Sequence, residues 1–454
     1  MNKQADKKFP LSKKIIWNLP ALTANGWWGI LAGYLTYYLT QSVLLSSASV
    51  GIVLMASKIF DGFTDLIAGY IIERTNTRWG KGRPYTLCVC AAWIFIILLF
   101  AIPSYFSTTA KLIYVFVCYT LINSVALTFF NCADAPYMIR AIPAEKDKSS
   151  TLAVGGVIVT YGSTLLVIAM PLLIDNFCKT PMGWTILALA IGIPSIILSA
   201  TRFFFIKELP MTDAEGNEIK EKQEKVSVKA IAKHIFSNKY VLICFGLVMF
   251  FYFGQNLNTV VASYYFTYNI GDLSLLSIIG ATALVSPIVL LFIPKLLEKF
   301  GKTKVLQIGL LINLGASIIR AFAPTNLVLY AATSILCNMG TLPMIYFIGL
   351  LLMDCMDFGE WKMGYRVESG YSAVSSAGQK IAAGLASGFA GLVMGAVGFI
   401  SGAESQSPAA LEGIKALTIY APIAVAAVLV VLIFNYKLED KLEGIRKELA
   451  ERKQ

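Results

Sequence analysis

The 454-residue chain is 57% apolar and only 14% charged, with 38 Lys and Arg against 27 Asp and Glu for a formal net charge of +11. That composition lies far from the soluble average and excludes an ordinary water-soluble domain. The basic excess does not indicate nucleic acid, because the Lys and Arg residues gather in alternate connecting loops, the pattern that sets orientation in a membrane.

Apolar runs long enough to cross the ~30 Å hydrocarbon core recur along the whole chain. They predict an all-α membrane protein of twelve helices, near 16–45, 48–73, 84–106, 111–139, 151–175, 182–204, 236–268, 274–297, 303–323, 327–354, 370–400 and 415–436. A cytoplasmic N-terminus places Arg74 to Arg83, Arg140 to Lys148, Lys295 to Lys304, and Lys362 with Arg366 inside. The opposite loops hold only Lys111, Lys179 and Arg320 at their edges, and an even helix count returns the C-terminus to the cytoplasm. Both termini are therefore expected on the cytoplasmic side of the membrane. The N-terminal segment lacks a small-residue cleavage site, so no secretory signal peptide is expected.

The charged stretch 205–235 divides the chain into a six-helix bundle at 1–204 and another at 236–436, followed by a cytoplasmic tail at 437–454. The segment GYIIERTNTRWGKGRPYTL after helix two echoes IPKLLEKFGKTKVLQIG after helix eight. Such duplication marks transporters built from two related bundles, although any short cytoplasmic loop is also basic. The eight Cys residues show no disulfide or metal spacing. His234 lies in the linker beside Lys233 and reads as solvated.

Taken in order, helix one sets Asn25 among Trp27, Trp28, Tyr34, Tyr37 and Tyr38. Aromatic faces beside amides suit sugar rings, and they also suit the membrane interface. Helix two carries Lys58, Asp61 and Asp65, whose spacing of three and four residues puts all three on one face. An ionised side chain at bilayer depth costs at least ~3 kcal/mol, so the cluster points to a site for ions or protons. A Lys58/Asp61 pair that merely neutralises itself at a helix contact is the plainer alternative. In helix four, Asn131 and Asp134 precede Pro136, which loosens the local backbone as cavity-lining helices tolerate. Asp134 is either a third carboxylate of the site or a helix-end charge beside Arg140.

Helix seven places Gln255, Asn256 and Asn258 after Tyr252, a second amide and aromatic group. The stretch 353–372 holds Asp354, Asp357, Glu360, Lys362, Arg366 and Glu368, either a solvated loop or a salt-bridge latch against the basic loop from Arg74 to Arg83. Helix eleven bears Gln379 and Lys380 in a run of small residues that allows close helix packing. A mid-helix lysine there calls for a carboxylate, with Asp61, Asp65 or Asp134 as partners, or else for snorkelling to the interface. No nucleophile constellation or phosphate loop stands out, so an enzyme is not expected.

KIFDGFTD with TRWGKGRPY, then DAPY, then MDFGEWKMGYRVESGYS before a lysine-bearing helix, together resemble the glycoside/pentoside/hexuronide:cation symporters of the major facilitator superfamily. The resemblance runs from about Asn25 to Lys380. It implies a twelve-helix major facilitator fold of two pseudo-symmetric bundles, alternating access, and uptake of a sugar coupled to Na⁺, Li⁺ or H⁺, without other cofactors. Cation binding, Na⁺ or Li⁺ included, falls on Asp61 and Asp65, with Thr64 and Asn131 beside them. Substrate binding falls on Asn25, Asp134, Met138, Gln255, Gln379 and Lys380. Lys58, Arg140, Asp354, Asp357, Glu360 and Arg366 form the charge network. The family's galactoside pocket has an acid where this chain has Asn25, and aromatic residues where it has Met138 and approximately Ile345, so the sugar platform is rebuilt. The implied partners are a small sugar or glycoside, a monovalent cation and the bilayer, with a monomeric carrier. A carrier of lysolipids or other amphiphiles, and a non-transporting membrane sensor, are the alternatives.

Overall fold

The computed structural model describes residues 9–75, 77–142, 144–208, 237–285, 292–364 and 369–452. Most of the 205–235 linker and Arg366 lie outside them, as do the side chains of Asp65 and Glu73. The described chain is almost wholly helical: α1 Leu11–Gln41, α2 Ser47–Arg74, α3 Arg83–Leu99, α4 Thr108–Ala141, α5 Glu145–Phe177, α6 Pro181–Phe205, α7 Lys239–Ile270, α8 Leu273–Thr282, α9 Ile293–Phe322, α10 Leu327–Met363, α11 Ser369–Ala396, α12 Pro408–Phe434 and α13 Glu439–Arg452. Seven described helices are long and apolar enough to cross a membrane.

Four departures from the expected helices have local causes. The chain leaves helical geometry at Gly301, with φ 74° and ψ 165°, and this break divides α9 into the end of the predicted eighth helix and the whole of the ninth. Helix α3 stops at Leu99, before the Pro103 that would have ended it in any case. Helix α10 runs on to Met363 and ends at Gly364 with φ 81°, so Asp354, Asp357 and Glu360 are helical and not in a loop. The expected tail is mostly α13, an amphipathic helix.

Chain contacts define two compact units. The first comprises Met1–Lys222, Asp272–Ser277 and Ser387–Ser407; the second comprises Gln223–Gly271, Ile278–Ala386 and Pro408–Gln454. In the first, α1 packs on α5 and α6, α3 on α6, and α2 on α4. Trp17, Trp27, Trp93, Tyr38 and Phe100 are fully buried there, and the Tyr38, Phe100 and Trp184 rings pack with centroids 4.9–5.7 Å apart, Phe100 and Trp184 stacked. Lys14 Nζ meets Asp147 at 2.9 Å and Asn18 Nδ2 donates to the Thr151 carbonyl, tying α1 to α5. The end of α11 beyond Ser387 lies on α2 so closely that a Cβ on Gly391 would collide with the Ser47 carbonyl. Gly388 and Gly391 of α11 thus serve helix contact.

In the second unit, α9, α10, α12 and α7 share a core around Leu247, Leu306, Leu351 and Ile433. Helix α13 adds Leu442, Ile445 and Leu449, three and four residues apart, to that core.

The two segments whose sequences echo one another are built alike. Gly80, with φ 114°, precedes Lys81, Gly82 and Arg83, whose three backbone N–H groups donate to the Glu208 carboxylate at 2.5–2.7 Å. Gly301 precedes Lys302 and Thr303, whose N–H groups donate to Glu439 at 3.0 and 2.8 Å. In each unit a carboxylate just beyond the last membrane helix closes a turn that a positive-φ glycine opens. Charge-assisted bonds of this kind are about twice as strong as neutral ones.

Leu442→Ala should lower the stability of the purified protein by about 2–4 kcal/mol, the range for deleting a buried leucine side chain, read as a fall in unfolding midpoint in detergent. Cys178, between α5 and α6, gives a second test: burial pushes its thiol up to about 12 from an ordinary value of 9.0. Because only the thiolate reacts, maleimide labelling of Cys178 at neutral pH should run about 10³-fold below that of an unperturbed thiol and rise about tenfold per pH unit. Rapid labelling at pH 7 would contradict the burial.

Candidate functional site

Helix α2 begins at the cap of Ser46, whose hydroxyl accepts the Ser49 N–H at 3.2 Å. Eleven residues on from its first residue, Lys58 is 6% exposed, and Asp61 one turn later is 4% exposed. Opposite them, α4 is not a regular helix: Leu121–Leu127 is a π-helical segment. Its wider turn brings residues five apart over one another, and here Thr128 Oγ1 donates to the Asn123 carbonyl at 3.2 Å. Asn123 and Thr128 are thereby both turned towards α2.

The resulting cluster is dense. Lys58 Nζ donates to Asn123 Oδ1 at 2.8 Å and lies 3.9 Å from Asp61 Oδ2. The ammonium also sits over two rings, 4.9 Å from the Trp28 centroid and 5.4 Å from that of Tyr119. Thr128 Oγ1 stands 3.4 Å from Asp61 Oδ1, and Ser57 and Thr120 join the same two helices through a 2.8 Å hydroxyl pair. At 4 Å and an effective dielectric of 20, two unit charges attract by about 4 kcal/mol, so Lys58 and Asp61 compensate much of each other's burial.

Thr64 contributes less than its position suggested, because its hydroxyl donates to the Asp61 carbonyl in its own helix at 3.0 Å. Asn131 lies on an exposed part of α4. Asp65 occupies the same helix as Asp61, one turn further on; its side chain is outside the described residues.

Asp134 takes part in a different arrangement. It pairs with Arg202 of α6 at 2.6 Å, a residue that the sequence did not single out, and not with Arg140. Arg202 is 1% exposed, its guanidinium 3.5 Å from the Trp17 centroid and 4.7 Å from that of Tyr137. The Tyr137 hydroxyl in turn donates to the Ile206 carbonyl at 2.8 Å. Met138 is buried in this aromatic cluster with Trp17 and Ile206. Asn25 is exposed on α1 and donates to the Ala21 carbonyl at 2.9 Å.

In the second unit, Gln255 is exposed on α7, while Gln379 and Lys380 are half-buried on α11, Gln379 donating to Ser375 Oγ at 3.2 Å. Asp354 and Asp357 find cations within that unit. Asp354, 1% exposed, pairs with Lys302 and, at 3.3 Å, with Arg446 of α13; Asp357 meets Arg446 at 2.8 Å. Glu360 is buried and Arg140 is half-buried near the end of α4.

Asn123, Thr128, Tyr119, Arg202 and Arg446 are the residues that reading the sequence missed. An amide alone in the apolar run LINSVAL was the one available signal for Asn123. Nothing in the sequence marked a π turn.

Residues 16–440 match the family model described as MFS/sugar transport protein. The chain is 26% identical over 446 residues to the isoprimeverose transporter of Lactiplantibacillus pentosus, covering 96% of this chain and 90% of that one. It is 25% identical over 448 residues to a putative sulfoquinovose importer of Escherichia coli strain K12, covering 96% and 92%. Among solved structures it resembles that of a D-xylose-proton symporter, with a TM-score of 0.63 at 14% identity over 93% of this chain and 97% of the other, a likeness of fold.

Asp134→Asn should lower stability by on the order of 1 kcal/mol: it removes the carboxylate of the ion pair with the buried Arg202, and water reaching the partly exposed Asp134 screens that attraction. The unfolding midpoint should fall in the wild-type background and stay put once Arg202→Met is present.

Proposed function

The chain belongs to the MFS/sugar transport protein family, and on that premise we propose that it is a cation-coupled symporter of a sugar or glycoside, working by alternating access in a bacterial inner membrane. The observation that carries the coupling half of this reading is the buried cluster of Lys58, Asp61, Asn123 and Thr128 in the middle of α2 and α4. A carboxylate so deep in an apolar protein is retained against a cost of several kcal/mol, which a structural pair alone would not require.

Lys58 and Asp61 together are near neutral. Counting Asp65, the second acid of helix two in the sequence, gives one negative charge in excess when both acids are ionised, which suits one monovalent cation. Binding of Na⁺, Li⁺ or H⁺ there removes the excess and favours the arrangement that holds substrate. By linkage, substrate must raise cation affinity by the same factor. The membrane potential then contributes ~2.3 kcal/mol per charge per 100 mV to accumulation.

The names of the relatives support a sugar, in one case an anionic one, as the substrate class. Asn25, Gln255, Gln379 and Lys380 are the polar residues that we assign to it, and Lys380 supplies a positive charge for an acidic sugar such as a hexuronide. Met138 is packed against Trp17 and Tyr137, which argues against a direct substrate contact for that residue.

The test is counterflow in proteoliposomes with glycosides, hexuronides and lysolipids as cargo, each with and without a cation gradient. A sugar should exchange and a lysolipid should not. Asp61→Asn should lower cation-driven uptake by at least about tenfold, within the 5–150-fold range of site coupling, while leaving downhill exchange measurable. Full cation dependence in that variant would remove Asp61 from the coupling site, and lysolipid exchange alone would replace the sugar.

A further inference from the structure

Arg320, in the last turn of α9, is a second buried arginine of the fold, and its surroundings differ from those of Arg202. Nε donates to Thr333 Oγ1 and Nη2 to Ser334 Oγ, each at 3.0 Å, and the guanidinium lies 4.2 Å from the Tyr330 centroid. Both hydroxyls spend their own protons inside α10, on the Leu329 and Tyr330 carbonyls at 2.8 Å, so each turns a lone pair to the arginine. These partners are neutral. They solvate the cation without cancelling its charge, and a guanidinium stays charged when buried. Arg202 faces the Asp134 carboxylate; among the described residues no carboxylate pairs with Arg320, and the C-terminal end of the α9 dipole offsets only about half a charge. The third nitrogen, Nη1, meets no partner among the described residues and is not closed off from the surface as the Nε of Arg202 is.

From Lys302 to Arg320 the helix rises by about 27 Å, close to the ~30 Å of a hydrocarbon core, so the open nitrogen stands at the membrane interface opposite Lys302. The surface beside it is apolar: Ile319 and Phe322 of α9 and Val328 of α10 are exposed, Phe322 at 85% and Val328 at 80%. Tyr265 stacks on Tyr330 and donates to the Pro324 carbonyl at 2.7 Å, which fixes the turn between the two helices. We infer that Arg320 is a phosphate seat for an anionic lipid at that interface: Nη1 donates to a phosphate oxygen of the headgroup, and Phe322 and Val328 lie against its acyl chains. The headgroup supplies the negative charge that the hydroxyls do not, and arginine suits phosphate because its planar fork is already held by Thr333 and Ser334. A free oxyanion would use the nitrogen and leave the apolar flank bare, which favours the lipid. The site lies within the second unit and is independent of the Lys58 cluster and of the transported substrate.

The experiment is a titration of the unfolding midpoint of the purified full-length protein in detergent with dioleoyl phosphatidylglycerol, with dioleoyl phosphatidylcholine, whose phosphate carries its own ammonium, and with inorganic phosphate. A ligand that binds only the folded state raises the midpoint, and the half-maximal amount reports its affinity. The rise with phosphatidylglycerol should be half complete at a lipid fraction at least about tenfold below that needed with phosphatidylcholine, by the charge preference of a basic site for anionic lipid. Arg320→Gln should remove that preference. Arg320→Lys keeps the charge without the planar fork; it should lower the preference about threefold and serves where Arg320→Gln does not fold. Lys447→Gln takes the same charge from the exposed face of α13 and should leave the preference as it was. The inference falls if the wild type does not distinguish the two lipids, if Arg320→Gln or, in its place, Arg320→Lys titrates like the wild type, or if Lys447→Gln loses as much, which would mark a diffuse charge effect. A rise with inorganic phosphate that needs Arg320, without a preference for phosphatidylglycerol, would overturn the lipid in favour of a free oxyanion.

Discussion

A charge that leaves water for the interior of a membrane protein must be paired or solvated by the protein itself, and the polar architecture of this chain answers to that requirement. Lys58 does so with an amide, two aromatic faces and a carboxylate one turn away. Arg202 does so with Asp134 and the rings of Trp17 and Tyr137. Arg320 bonds to the hydroxyls of Thr333 and Ser334 and lies over Tyr330. Aromatic faces recur because they are apolar enough to pack and still carry negative π density towards a cation. Among the described residues, the Lys58 group combines a buried carboxylate with hydroxyl oxygens in the middle of two long helices, which is why coupling is proposed there.

The helix ends obey a second rule, that backbone N–H groups left open by a turn find an acceptor. Glu208 and Glu439 supply it in the two units, each on a turn opened by a positive-φ glycine. In the second unit this draws in α13. Glu439 holds the turn, Arg446 pairs with Asp354 and Asp357, Trp361 Nε1 donates to Glu448 at 2.6 Å, and the apolar face of α13 closes the core. The C-terminal segment is therefore part of the second unit's folded body. Its charges, read from sequence, looked like those of any soluble tail.

The helix-two site was legible because charge is rare in such a chain. Lys58, Asp61 and Asp65 at helical spacing inside an apolar run need no partner to be noticed. Their partners were not legible, because hydrogen-bonding residues on α4 are ordinary amides and hydroxyls whose direction depends on helix phase. The π turn changes that phase, turning Asn123 and Thr128 towards α2, while Asn131, favoured by resemblance, lies on an exposed surface. Asp134 shows the same limit from the other side: its own helix offered Arg140, whereas tertiary packing supplied Arg202 from α6.

Composition and periodicity by themselves determined that the chain is a helical membrane protein, that its halves echo one another, and that α2 bears buried charge. These follow from transfer energies and from the 3.6-residue repeat, which act locally and are written into the residues. Which groups neutralise those charges, that Lys58 rests on Asn123 ahead of Asp61, and that the C-terminal segment folds back as α13 were decided by tertiary structure. Each depends on two helices far apart in sequence meeting in one register, and a difference of a single residue per turn, as in the π segment of α4, is enough to change the partner.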